Sequence, residues 1–247
     1  MSLAYLGRES LRQLKNLRSM IFTLAVPLVM LLAFGGTFGG AGQVDAATRL
    51  PWIAVTTIQV AAYGGMMAAL SQAFQIVTER SIGWNRQLRV TPLSGTGYLV
   101  SKLVAALALA LFSILVIVAV SIALYHPALS MGSWVLAGLG IWCGVVPFAL
   151  LGILVGQLAK PEFAQPLFMA VFMGMAVLGG LWVPLQLFPA WVADVAKAVP
   201  SYWLNRVGQL GALQSGDAVT PAVVLAAWTL ALAGLVVWRY RRDAARG

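Results

Sequence analysis

Long apolar runs separated by short, Arg-rich polar stretches dominate the chain. Six runs reach the roughly 20 residues that a helix needs to cross the hydrocarbon core of a bilayer. They cover 20–38, 52–77, 99–124, 131–157, 165–183 and 219–238. These runs are too long and too continuously apolar for the alternation of a membrane β-barrel. Stretches such as 104–111 are also rich in the helix formers Ala and Leu. The pattern predicts an all-α membrane protein with six transmembrane helices.

Three flanking segments carry a different pattern. On a helix, Leu3, Leu6, Leu14, Leu17 and Ile21 share one narrow stripe, with Arg8, Arg12 and Lys15 opposite. That is the pattern of an interfacial helix over 1–19, lying flat with its cations toward anionic lipid. The basic start followed by an apolar run superficially matches a signal peptide, but its long, orderly basic region favours a retained first span. Between spans 2 and 3, a short amphipathic helix is predicted over 79–91. Pro92 ends it, because the residue before a proline avoids the α region, and Ser94, Gly95 and Gly97 then form a turn. Between spans 5 and 6, 184–216 contains Pro184, Pro189 and Pro200 together with Asp194, Lys197, Asn205 and Arg206. Those charges make a lipid-exposed crossing costly. Short re-entrant or interfacial helices are expected instead, with Trp182, Trp191, Tyr202 and Trp203 in the aromatic belt of the membrane surface.

Composition reinforces this picture. Of 247 residues, 61% are hydrophobic and 9% charged, against about 25% charged in soluble domains. A water-soluble enzyme, a disordered chain and a disulfide scaffold are excluded. The formal net charge of +9 needs no nucleic acid to explain it. Arg8, Arg12, Lys15 and Arg18, then Arg80, Arg86, Arg89 and Lys102, then Lys160, then Arg239, Arg241, Arg242 and Arg246 all fall on one side of a six-span topology. That is thirteen of the 16 basic residues. Only Arg49, Lys197 and Arg206 fall on the other. The positive-inside rule then puts both termini of the single domain 1–247 in the cytoplasm. The lone Cys143 reads as buried packing, and His126 beside Pro127 as a turn residue.

Candidate chemistry is sparse. The sequence has no G-x-x-x-x-G-K-[ST] phosphate loop, no G-x-G-x-x-G and no H-E-x-x-H. No catalytic residue, metal ligand or cofactor site is assigned, and ATP with its Mg, if used, belongs to another chain. The seven acids lie in loops, tails or at span ends, which disfavours an ion-coupled carrier. Span 2 is the most polar span. Thr56, Gln59, Tyr63, Met67 and Phe74 share roughly one face. That face suits the path of an amphipathic or lipid-like substrate, and equally suits polar glue between helices. Gly140/Gly144 and Gly152/Gly156 have small-xxx-small spacing, and Pro147 between them is expected to kink span 4.

Glu79-Arg80, Gly83, Leu88, Thr91-Pro92-Leu93-Ser94, Tyr98-Leu99 and Lys102 resemble the coupling-helix region of ABC-2 type permeases. These are the membrane subunits of bacterial ABC exporters that include the daunorubicin-resistance permeases. Pro200-Ser201-Tyr202-Trp203 is similar to the stretch before that family's last span. Ser81, Trp84, Asn85 and Arg86 stand where the family often has an acidic, Gly- and Thr-rich run. The resemblance implies a permease dimer, of two copies or with a related permease, set in membrane lipid and driven by separate ABC ATPase subunits. It assigns ATPase coupling to Glu79, Arg80, Gly83, Trp84, Leu88, Thr91, Pro92 and Leu93. Drug or antibiotic efflux is the favoured function. Lipid or polysaccharide export, or a non-transporting scaffold, are the alternatives.

Overall fold

The computed structural model describes residues 17–38, 44–45, 48–81, 95–182, 185 and 188–244. Among these residues all regular structure is helical, apart from an isolated bridge between Val44 and Pro51. The helices are α1 (Leu17–Phe38), α2 (Trp52–Leu70), α3 (Gln72–Ser81), α4 (Gly95–Tyr125), α5 (Met131–Gly144), α6 (Val146–Leu158), α7 (Ala164–Leu178), α8 (Ala190–Ala196), α9 (Pro200–Leu213) and α10 (Val219–Ala244). A single 3₁₀ turn, Pro161–Phe163, leads into α7.

Among the described residues, five helical runs are long and apolar enough to cross a membrane: Trp52–Ser81, Thr96–Tyr125, Met131–Leu158, Pro161–Leu178 and Val219–Arg242. The protein is therefore a multi-pass helical membrane protein. In α1 the described apolar stretch, Thr23–Gly36, is shorter than these five. The flat helix expected over 1–19 and the helix expected over 79–91 lie largely outside the described residues, as do Gly83, Trp84, Leu88, Thr91, Pro92 and Leu93.

Trp52–Ser81 is the central post. An 18-residue apolar stretch of it is 89% buried within the protein, whereas the corresponding stretches of Pro161–Leu178 and Val219–Arg242 are 22% buried and form the periphery. Such near-total enclosure demands close backbone approaches, and small residues supply them. Gly64 and Gly65 of α2 let in Ile117, Ser113 and Ile114 of α4. In the same contact Thr57 Oγ1 donates to the carbonyl of Ile53 (2.7 Å), leaving Ser121 Oγ of α4, 2.6 Å away, to donate to it.

The two glycine pairs of α5 and α6 face different partners. Gly140 and Gly144 of α5 lie against Val207 and Leu204 of α9, while Gly152 and Gly156 of α6 lie against Leu70, Ala73 and Ile76 of α2 and α3. An added Cβ on Gly152 would come within 2.8 Å of the Leu70 carbonyl oxygen. The expected break at Pro147 is present: α5 stops at Gly144 and α6 restarts at Val146 with the proline in its first turn, where its missing N–H costs nothing.

The 184–216 element consists of α8 and α9. Helix α9 inserts its Leu204, Val207, Gly208 and Gly211 face against α5, and Gly208 reaches Ile58 of α2. It therefore sits at the end of the bundle where α2 begins, opposite the end where α3 stops at Ser81. Trp203 Nε1 donates to the Lys197 carbonyl (2.7 Å), tying α9 to α8. Trp182 and Trp191 stay exposed around this end. His126 is a turn residue, with φ +46 after α4. Cys143 departs from expectation: it is exposed on the outer face of α5, because the buried face of that helix is taken by Ser133, Trp134, Ala137, Ile141 and Gly144.

Candidate functional site

The last turn of α3 carries two adjacent charges, and both turn inward. Glu79 Oε1 meets Lys102 Nζ of α4 at 2.5 Å, and Glu79 Oε2 accepts from Tyr98 Oη at 2.6 Å. Tyr98 and Lys102 are one helical turn apart, so both reach the same carboxylate. The Lys102 side chain is 1% exposed and that of Glu79 11%. The Lys102 ammonium also lies 5.5 Å from the Tyr98 ring centroid, within cation–π range. A charge this deep needs a partner, and here the carboxylate is shared between an ammonium and a phenol.

Arg80 points the other way. Its Nη1 donates to the carbonyls of Gly156 (2.9 Å) and Ala159 (3.2 Å). These are orphan carbonyls at the C-terminus of α6, where a cation is favoured by the helix dipole. Two consecutive residues thus fasten α3 to α4 on one side and to α6 on the other. Around them Ile76, Tyr98, Leu99, Ile153 and Val236 form a separate apolar cluster that adds α10 to the same junction. Ser81 and Gly95, on either side of residues 82–94, both belong to helices of this four-helix clamp.

The proposed path face of α2 is mostly packed. Thr56 and Tyr63 are buried, while Met67 and Phe74 are half-buried. The Tyr63 ring meets Phe172 of α7 edge-on at 5.0 Å, Phe172 stacks on Phe168 at 5.7 Å, and Phe168 lies 4.6 Å from Phe74. The result is an aromatic column joining α2 and α3 to α7. Gln59 alone of the five opens on a cavity. That cavity, about 280 Å³, sits at the α9 end. Its polar wall is formed by Gln59, Lys197, Tyr202, Asn205, Arg206 and Gln209, with Gly180, Leu185 and Ala193 completing it.

Sequence reasoning missed two features here. Charge bias places Lys102 among the cytoplasmic cations and the resemblance places it beside the coupling helix, but neither shows that it is buried in α4. The i, i+4 spacing of Tyr98 and Lys102 was the available signal. The convergence of Lys197 and Arg206 depends on how α8 folds back on α9, which no local pattern encodes.

Among the described residues no cluster of His, Cys, Asp or Glu is suited to hold a metal ion. What the geometry offers is a mechanical junction at one end and a polar recess at the other.

The family model for ABC-2 type transporter membrane proteins matches residues 3–209. The chain belongs to the ABC-2 type transporter family. The permease is also 29% identical over 199 residues to the Bacillus subtilis (strain 168) protein named "Putative transport permease YvfS", covering 80% of this chain and 81% of that one. Membership in this family implies ABC ATPase subunits as partners of the permease.

Proposed function

We propose that the permease is the membrane half of an ATP-binding cassette exporter in a bacterial inner membrane, driven from its Ser81 end by separate ATPase chains that bind ATP and Mg. The observation that carries this is the clamp at Glu79 and Arg80. A segment that receives force must be rooted in the bundle, and these two residues root it in α3, α4 and α6 at once. In this reading Glu79 and Arg80 transmit load, and Gly83, Trp84, Leu88, Thr91, Pro92 and Leu93 supply the surface that meets the ATPase. Helix α1, 22 residues long, makes a sixth crossing of about 33 Å at 1.5 Å per residue. Both termini and the 82–94 segment then share the cytoplasmic face.

The permease pairs with a second copy or a related permease. An amphipathic or lipid-like substrate, with drugs and antibiotics favoured, passes between the subunits. Gln59 sits at the outer end of that path, and Thr56, Tyr63, Met67 and Phe74 hold the wall behind it.

Co-expression with a candidate ABC ATPase tests the assignment. The ATPase is expected to co-purify, and reconstituted vesicles are expected to show ATP-dependent flux that is lost when Thr91-Pro92-Leu93 is replaced by Ala-Ala-Ala. Failure of the ATPase to co-purify, with flux unchanged by the triple substitution, sinks it.

A further inference from the structure

The cavity at the α9 end has a charge pattern that membrane topology alone does not explain. The charge bias of the sequence leaves three basic residues on that side, Arg49, Lys197 and Arg206, and two of the three line this one recess. No carboxylate lines it. Asp194 pairs with Lys197 at 2.9 Å from the exposed side of α8, so one positive charge remains uncompensated. Among the described residues no protein group takes up the Gln59 amide or the Arg206 guanidinium. Asn205 and Gln209 are tied in place, Asn205 to the Gly180 carbonyl (3.4 Å) and Gln209 to Asn205 (3.3 Å). Gly180, at φ +64, ends the fifth crossing and turns the chain past the recess.

The chemistry fits an oxyanion. Arginine offers a planar fork of donors to phosphate or carboxylate, lysine adds a point charge, and amides supply neutral donors. The volume suits a head group rather than a whole drug-sized molecule. The setting adds the apolar half of the ligand. Leu185 and Ala193 form part of the wall, and the exposed Trp182 and Trp191 mark the level where head groups meet acyl chains. Resting on the exporter reading above, we propose that this recess binds the anionic phosphate or carboxylate head of an amphiphile at the outer end of the transport path.

Binding to the purified full-length permease in neutral detergent tests this without an ATPase or flux. The probes are dihexanoyl phosphatidic acid, dihexanoyl phosphatidylcholine and inorganic phosphate. The anionic lipid is expected to bind and the zwitterionic one to bind at least about tenfold more weakly. Arg206→Gln and Lys197→Gln are expected to lose about tenfold each, Arg206→Lys to recover part of the loss, and Lys160→Gln, at the opposite end, to match the wild type. Competition by inorganic phosphate would show that the head alone suffices, and its absence that the tail is needed; both uphold anion recognition here. Equal binding of the two lipids, or Arg206→Gln and Lys197→Gln variants that elute as the wild type and bind as it does, would overturn the site. Loss of ATP-dependent flux with binding intact would instead sink the exporter reading and leave this site standing.

Discussion

Lys102 and Glu79 come from different helices, 23 residues apart, and meet at 2.5 Å with the lysine side chain 1% exposed. Removing one partner strands the other in an apolar junction. Lys102→Met and Glu79→Gln are each expected to destabilise the permease by about 3–5 kcal/mol. The double variant leaves no orphan charge and is expected to recover most of that loss. Unfolding midpoints of the three variants in detergent check the ordering. A double variant as unstable as the sum of the singles would show that the two residues are not coupled.

Arg80 bonds main-chain carbonyls rather than an acid, so its removal leaves no buried charge behind. Arg80→Gln is expected to cost about 1–2 kcal/mol, the upper range for a cation at a helix C-terminus. Its effect on function is expected to be larger than its effect on stability. ATP-dependent flux falls while the ATPase still co-purifies, because docking is kept and the α6 attachment is lost. Parallel measurement of flux and pull-down separates the two.

Gly152 and Gly174 offer a matched pair. A Cβ on Gly152 would meet the Leu70 backbone at 2.8 Å, whereas one on Gly174 meets nothing within 4 Å. Gly152→Ala is expected to destabilise by about 1–3 kcal/mol through overpacking. Gly174→Ala is expected to be neutral or to stabilise by a few tenths of a kcal/mol through helix propensity. Thermal midpoints of the two variants provide the comparison.

Two exposed groups at the α9 end respond to pH in opposite ways. Asp217 accepts from the Thr220 hydroxyl and from the N–H groups of Thr220 and Val219 at the start of α10, which holds its carboxyl below the usual 3.8. Its contribution is complete above that value and disappears as pH falls through the lower folded value. The deficit of Asp217→Ala is therefore expected at pH 7 and expected to close in strong acid. For Lys197, the hydrogen bond from its ammonium to Asp194 raises the pKa above 10.5. That contribution is complete below 10.5 and fades only as pH climbs through the raised value. Unfolding midpoints across pH for Asp217→Ala and Lys197→Gln check both signs.

Much of the fold was legible because lipid imposes one simple demand, that backbone groups be satisfied within each segment. The runs 52–77, 99–124, 131–157 and 219–238 fall on helices that are long and apolar enough to cross, and 165–183 does so as far as Leu178, where α7 ends. Pro147 marks its break because a missing N–H acts locally. The interruption at Ser71 between α2 and α3 carries no proline and no such signal. The path face of span 2 illustrates a different limit. Periodicity groups Thr56, Gln59, Tyr63, Met67 and Phe74, but whether a polar or aromatic face meets substrate or a neighbouring helix depends on where Phe168 and Phe172 arrive. For the charges, position in the chain predicts a side of the membrane, whereas the partners of Glu79, Arg80 and Lys102 are set by helix packing across distances of 19 to 79 residues.

The interruptions between α2 and α3 and between α5 and α6 face one another. Leu70, beside the first break, receives Gly152, and Val145, at the second, lies against Gly65. The molecule thus has a waist where two neighbouring rods are interrupted at the same depth, with the Glu79–Lys102 and Arg80 contacts on one side of it and the cationic recess on the other. On the exporter proposal, motion started at the Ser81 end would cross that waist to reach the recess, and the close contacts of Gly65 and Gly152 lie directly in its way.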